Sequence, residues 1–454
     1  MRKPLVDPKI FQKRRDQLAK TMQDGSALVL MSHPEMIRNY DVHHPYRQNT
    51  DMFYLTGFEE SQSVLVFIPG SENPTTLFVK KKDPTMETWE GFHFGVDGAK
   101  EAFQVDQTFP IDELEERLPK MIVDCSAVYY SQNHHYGQDE KINGVLRKVR
   151  ALRGRSGEGN IPLMDSYPLI GELRVIKSEF EQNEMRSACK ISSEAHIELM
   201  RATRPGINER ALHGLFIKEI KQRGAAREGY GTIVAGGNNA VTLHYVFNDC
   251  DLVDGEMILI DAGAEYHYYT GDITRTYPIN GEFSAAQRKL YEGVLKVQKN
   301  LVDAVKPGTT FKDLNEQMAE GLTDILLEVG ILKGDRKKLL EGKTNAEKAY
   351  FKFCPHGVGH FLGSDVHDAG KSKKDRSRPL EAGMCLTIEP GLYISKDDTD
   401  VAAEFRGIGI RIEDNLLVTP DGNENMTAKC PKEIDDLESL IGSNSDIWAG
   451  AVTE

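Results

Sequence analysis

Two stretches decide the fold: LVDGEMILIDAG (residues 252–263) and LEAGMCLTIEPG (residues 380–391). Each opens on Leu, turns at Gly, runs through apolar residues and closes on an acid and a second Gly, all at matching offsets. Upstream of each lies another matching pair, RPGINERAL (204–212) and KPGTTFKDL (306–314), where a basic residue and Pro-Gly precede a helix start. The chain therefore carries one unit twice. In each copy an acid ends a strand, Asp261 in the first and Glu389 in the second, and a further acid follows in another β-like run. These are Asp272 in GDITRTYPI (271–279) and Glu413 in IGIRIEDNLLVT (408–419), 11 and 24 residues on. Packed about a pseudo-twofold axis, the copies bring four carboxylates to one place.

Four carboxylates cannot share a partly buried site unneutralised, because repulsion would force some to take up protons. Two divalent cations cancel them. An oxygen-rich set with a single imidazole suits manganese, with cobalt or zinc as substitutes. The imidazole expected is His360 of HGVGH (356–360), whose glycines let the backbone pass close to a site. Taken singly, Asp261 and Asp272 read as turn or cap aspartates, and Glu413 as an ion-pair partner of Arg411. An acid ending an apolar strand, as Glu389 does, is seldom there for packing. The repeat-matched placement favours ligands for all four. Competing motifs are absent: there is no Walker A sequence, no HExxH and no GxSxG, and GVGHFLG lacks the spacing of a dinucleotide loop.

Outward from the repeat, the 454 residues suit two or three domains at roughly 150 residues each. Alternating helices and apolar strands at 27–31, 64–68, 76–80 and 122–130 predict a smaller mixed α/β domain over 1–175. A Gly-rich polar stretch, RGRSGEGN (153–160), is the candidate linker, and the helical pattern from Ser178 belongs to a catalytic domain over 176–454. Asp7-Pro8 predicts a helix start, with Ile10, Phe11, Arg14 and Leu18 at helical spacing. No apolar run approaches the ~18 residues of a membrane helix, and the basic N-terminus lacks the apolar segment of a secretory signal. The formal charge of −14 argues against nucleic acid as a partner. Six scattered cysteines without a CxxC pair fit a reducing cytoplasm. His43-His44 and His134-His135 are expected at the surface, Trp89 and Tyr54 in the core.

The second half resembles the pita-bread metallopeptidases, in the branch of the aminopeptidases P (Xaa-Pro aminopeptidases). The segments that carry the resemblance are LHYVFND (243–249), ILIDAGAEYHYYTGDITRTYPINGEFS (258–284), HGVGHFLGSDVHD (356–368), LTIEPGLYI (386–394) and RGIGIRIEDNLLVTPDGNENMT (406–427). FQKRRDQL (11–18) and QNTDMFYLTGFEE (48–60) are similar to the first domain of such enzymes. The resemblance implies a pita-bread catalytic domain of α/β (α+β) class behind an aminopeptidase-P-like N-terminal domain. It implies two metal ions, most readily Mn2+, held by Asp261, Asp272, His360, Glu389 and Glu413, with Asp272 and Glu413 bridging. Glu389 is also the implied proton shuttle, His244 and His367 contact the tetrahedral intermediate, and His356, Tyr393 and Arg411 bind or border the substrate. The reaction implied is hydrolysis of an N-terminal Xaa-Pro bond by a hydroxide shared between the ions, in a homo-oligomer, dimer or tetramer. A prolidase using Arg376 or Arg378 for the proline carboxylate, a metal-free creatinase-like hydrolase and an inactive peptide-binding scaffold are the alternatives. The part of the N-terminal domain around Trp89 has no assigned role in the pocket.

Overall fold

The computed structural model describes residues 3–371 and 376–448. Two compact units divide the chain, Met1–Leu173 and Arg174–Glu454.

The first unit is built on a six-stranded sheet, in spatial order Gln107–Pro110, Thr75–Val79, Val64–Phe67, Ala27–Met31, Val128–Tyr129, Leu163–Met164. Its central strands are apolar without interruption because both faces are covered. Leu28, Leu30, Leu65 and Phe67 enter one cluster, with Leu18, Met52 and Phe103 from helices. Their alternate neighbours Ala27, Val29, Val64 and Val66 enter another, with Leu118, Ile142 and Val149. This is the two-residue period of a strand. The helix Pro8–Ala19 starts where Asp7 caps it, the Asp7 side chain accepting from the Lys9 N–H at 3.0 Å. The strand expected over 122–130 shrinks to Val128–Tyr129, since Ile122 ends the helix Leu114–Ile122. Tyr54 is buried, but Trp89 is 83% exposed, on a short helix, Pro84–Glu90, none of whose residues is buried.

In the second unit the repeat is visible in the backbone. Each copy begins with a helix closed by a reciprocal cap, Ser178 with Glu181 before Glu179–Ala202 and Ser284 with Gln287 before Ala285–Ala304. Pro-Gly then turns the chain into a second helix, Glu209–Gln222 or Phe311–Glu328. Gly206 and Gly308 hold left-handed φ of +81° and +92°, the conformation that favours glycine at such a turn. The two turns are tied down alike. Gly206 N–H donates to Leu252 O (2.8 Å) and Gly308 N–H to Leu380 O (2.9 Å), while Leu252 and Leu380 donate back to Ile207 O and Thr309 O at 2.8 and 2.7 Å. The matched Leu residues in the sequence are thus the points where each strand is pinned to its helix pair. The strands follow as two antiparallel ladders, Ile233–Gly236 with Met257–Ala262 and Ile273–Pro278, and Cys385–Ile388 with Asp414–Thr419 and Gly422–Asn425. One continuous apolar cluster fills the space between helices and strands of both copies.

Candidate active site

The strands deliver the acids. Asp261 is the penultimate residue of Met257–Ala262, Asp272 directly precedes Ile273–Pro278, Glu389 directly follows Cys385–Ile388, and Glu413 directly precedes Asp414–Thr419. The copies are stitched together at this point. Asp272 N–H donates to Asn415 Oδ1 (2.8 Å), and the Asn415 amide donates back to Asp272 O. Thr274 Oγ1 donates to Glu413 Oε2 at 2.7 Å, and Glu413 N–H to Thr274 O at 3.1 Å.

HGVGH runs as an extra rung beside Cys385–Ile388: Thr387 N–H donates to His360 O (2.9 Å) and Glu389 N–H to Val358 O (3.0 Å). The approach is so close that a Cβ on Gly359 would stand 2.0 Å from Thr387 O. His360 is thereby set among the acids, its Nε2 3.4 Å from Asp272 Oδ2 and 3.6 Å from Glu389 Oε1. Its Nδ1 lies 3.0 Å from Phe361 O. A carbonyl only accepts, so Nδ1 carries a proton and Nε2 is the atom offered to a ligand. Ligand atoms of Asp272, His360 and Glu413 all lie within 4.8 Å of one another.

The electrostatics show a cluster short of positive charge. Burial raises the Glu389 carboxyl to about 7, and Asp272 and Asp261 push in the same direction against His360 and Arg411. Burial, then Asp272, Glu389 and Asp261, hold Glu413 well above the ordinary carboxylate range. Burial works against a charged His360, but Asp272 and Glu389 outweigh it and raise the imidazole to about 9. Among the described residues the guanidinium bonded to the acids is that of Arg411, which donates to Asp261 Oδ2 (2.6 Å), Thr274 Oγ1 (3.0 Å) and the Tyr393 hydroxyl (2.9 Å). One guanidinium does not balance four acids. Carboxylate oxygens in excess over a single imidazole nitrogen are a donor set for hard or borderline divalent ions, so the residues present fit a metal pair.

A cavity of about 460 Å³ opens onto the cluster. Asp261, Asp272, His360, Glu389 and Glu413 line it, together with His244, His356, His367 and Arg411. Tyr393 stands behind this wall, buried, its hydroxyl 2.9 Å from His356 Nε2. Because His356 Nδ1 faces Gly357 O at 2.8 Å, Nε2 accepts from Tyr393 while Tyr393 accepts from Arg411. Burial, then Arg411, lowers His356 to about 4, so it is neutral. His367 meets His360 edge-on, centroids 4.4 Å apart, and is exposed like His244. Arg376 and Arg378 are not in the lining; they donate to Gly359 O (2.9 Å) and Lys371 O (3.0 Å).

Sequence reasoning missed Tyr230. Its buried hydroxyl lies 2.6 Å from both Asp261 Oδ1 and Asp272 Oδ1, a neutral donor facing two acids. Its place between Gly229 and Gly231 gains meaning only in the fold, where a Cβ at Gly229 would meet Thr270 Oγ1 at 1.8 Å, so this backbone is packed tightly against the site. Thr274 and Asn415, which hold Glu413 and Asp272 in place, gave no signal either.

Comparison with known proteins bears on this geometry directly. Residues 183–420 match metallopeptidase family M24, and residues 11–129 match the aminopeptidase P N-terminal domain. The Xaa-Pro aminopeptidase of Escherichia coli K12 is 40% identical over 433 residues, 95% of this chain and 97% of its own. Human Xaa-Pro aminopeptidase 3 is 38% identical over 425 residues, 92% of this chain and 81% of its own. The solved structure of zinc-substituted E. coli aminopeptidase P in complex with product superposes with a TM-score of 0.91 at 39% identity, covering 96% of this chain and 98% of that one.

Proposed function

The chain belongs to metallopeptidase family M24, and from that membership we propose that it is a dinuclear-metal aminopeptidase cutting the bond between the first residue of a peptide and a proline in second place. The observation that carries this reading is the convergence of four acids and His360 on one cavity, two acids from each copy of the repeat. In our reading all five are metal ligands, the ions are manganese, and the protein is a cytoplasmic homo-oligomer. Five of the six cysteines are buried as free thiols, in keeping with a reducing compartment.

Two divalent ions supply an acidified water and stabilise negative charge developing on the scissile carbonyl. The protein's own groups do the rest. Glu389 takes the proton of the attacking water and hands it to the proline nitrogen, a secondary amine that leaves only when protonated. His244 and His367 donate hydrogen bonds to the developing oxyanion. Neutral His356, braced by Tyr393 and Arg411, borders the proline ring, and the free amine of the peptide lies beside Asp261. A proline bond has no amide hydrogen and a fixed φ, so a site shaped around the ring is needed to read it.

The test compares kcat/KM for Xaa-Pro-Yaa, Xaa-Pro and Met-Ala-Yaa peptides under manganese. The tripeptide with proline should be cut fastest, because among the described lining residues the one Lys or Arg is Arg411, which is engaged by Asp261, Thr274 and Tyr393 and so is not offered to a carboxylate directly after proline. A preference for the dipeptide would make the enzyme a prolidase, and a preference for Met-Ala-Yaa would overturn the proline assignment.

A further inference from the structure

After the strand Ile233–Gly236 the chain enters a segment, residues 237–250, that carries His244 to the cavity and leaves Val246 and Phe247 largely exposed. Such a segment needs an anchor if its histidine is to stand in one place. The anchor is Glu209, the first residue of the helix Glu209–Gln222, whose carboxylate is fully buried. Oε1 accepts from Gly236 N–H (2.8 Å) and the Asn239 amide (3.0 Å). Oε2 accepts from the Tyr245 hydroxyl (2.8 Å) and Cys250 N–H (3.0 Å). The Glu209 N–H in turn donates to Cys250 O at 2.9 Å. All four donors come from the residue before the segment or from the segment itself, at its start, its end and the residue next to His244.

We infer that Glu209 is a positioning residue for catalysis: it clamps residues 236–250 so that His244 meets the oxyanion at a fixed place. This rests on the function proposed above. A burial of this kind is costly for a carboxylate unless every lone pair is used, and here both oxygens are filled by donors. The cluster of Glu209, Asp249 and Cys250 brings together groups that could hold a metal, but Glu209 spends its acceptor capacity on the loop. Packing adds to the clamp, because Tyr245 is buried with Ile233, Leu259 and Tyr393.

The experiment is a double-mutant cycle on the manganese-loaded enzyme with an Xaa-Pro-Yaa peptide. Glu209→Gln keeps the volume but turns one oxygen into an NH₂ that faces two donors, so half of the clamp is lost. The expected result is a drop in kcat of about 10-fold or more, since a misplaced catalytic group is penalised at that scale, with KM and the bound metal unchanged. In a His244→Ala background the same substitution should cost less than about 2-fold, because the residue it positions is already gone. Amide hydrogen exchange should quicken at Gly236 and Cys250 in the single variant. Tyr245→Phe, which removes one donor and leaves the charge, provides the same cycle should Glu209→Gln fail to fold. Equal costs in both backgrounds, or wild-type kcat in the single variants, would overturn the inference while leaving the function standing. A wild type that fails to cut Xaa-Pro-Yaa would overturn the function and this inference with it.

Discussion

At the scale of single residues, the function proposed above assigns metal and substrate to different groups of the site. His244 stands on the rim, with no place among the clustered ligand atoms, and Asp272 stands at their centre, within hydrogen-bonding reach of Tyr230 and close to His360. His244→Ala should therefore keep both ions and lose roughly 10²-fold in turnover, about 3 kcal/mol, because only a transition-state hydrogen bond is removed. Asp272→Asn should lose metal as well as activity. Elemental analysis beside steady-state kinetics distinguishes the two, and wild-type turnover in His244→Ala would return that histidine to an ordinary surface role. Matched offsets made Asp261 and Glu389 legible in the sequence, the β-like runs after them Asp272 and Glu413, and the glycines of HGVGH His360. Tyr230 was not, because a lone tyrosine between glycines has no period, and only the folded strands reveal that its hydroxyl faces two carboxylates.

At the scale of elements, the repeat was legible because each copy needs the same hardware, a Pro-Gly turn whose glycine carries positive φ and a Leu that pins the strand to it. Strand limits in the first unit were less so. The apolar run over 122–130 mixes the buried end of one helix with a two-residue strand, and burial gives both the same composition. Trp89 was misread for a related reason: aromatic identity signals a core only when neighbours supply one, and its helix buries nothing. The extra rung formed by HGVGH invites a direct test. Gly359→Ala puts a methyl into Thr387 O, a backbone atom that cannot swing aside, so the rung must move and His360 with it. Destabilisation of about 1–3 kcal/mol is expected, as for overpacked cores, together with at least tenfold weaker metal binding. Denaturant melts and metal titration check the two effects; unchanged affinity would show that the rung does not set His360. A second element-level contact joins the copies: Arg275 of the first holds Asp414 of the second at 2.7 Å, both fully buried, and Lys432, Gln298, Asn425 and Thr427 also donate to that carboxylate. Arg275→Met should cost about 3 kcal/mol or more in denaturant melts, since it leaves a buried carboxylate short of a partner.

At the scale of the whole molecule, the crowded acids make stability depend on pH and metal together. In the metal-free protein His360 titrates near 9 instead of its ordinary 6.5. The folded state then binds more protons than the unfolded chain between those values, so the stability that His360 contributes is full below about 6.5 and is lost as pH rises towards 9, while that of Glu389, raised from 4.5 to about 7, is lost over a lower range in the same direction. The buried thiols of Cys354 and Cys385, held up at about 12 by burial, act in the same direction at the upper end. Metal binding runs the other way, because ligands must give up protons to coordinate. The Tm of the metal-free protein should fall from pH 6.5 to 9 while the gap to the manganese-loaded form widens, and a gap that narrows would contradict a dinuclear site built on these residues. The two copies differ in one respect that shapes this whole: His356, His360 and His367 all come from the second copy, and the first contributes only His244. A cage of two acids from each copy reads the same from either side, whereas a peptide runs one way, from amine to carboxyl. Placing imidazoles on one side gives the cage a front and a back. The duplicated frame supplies charge and the uneven histidines break its symmetry, so under the function proposed above they are the feature that gives a bound peptide its direction.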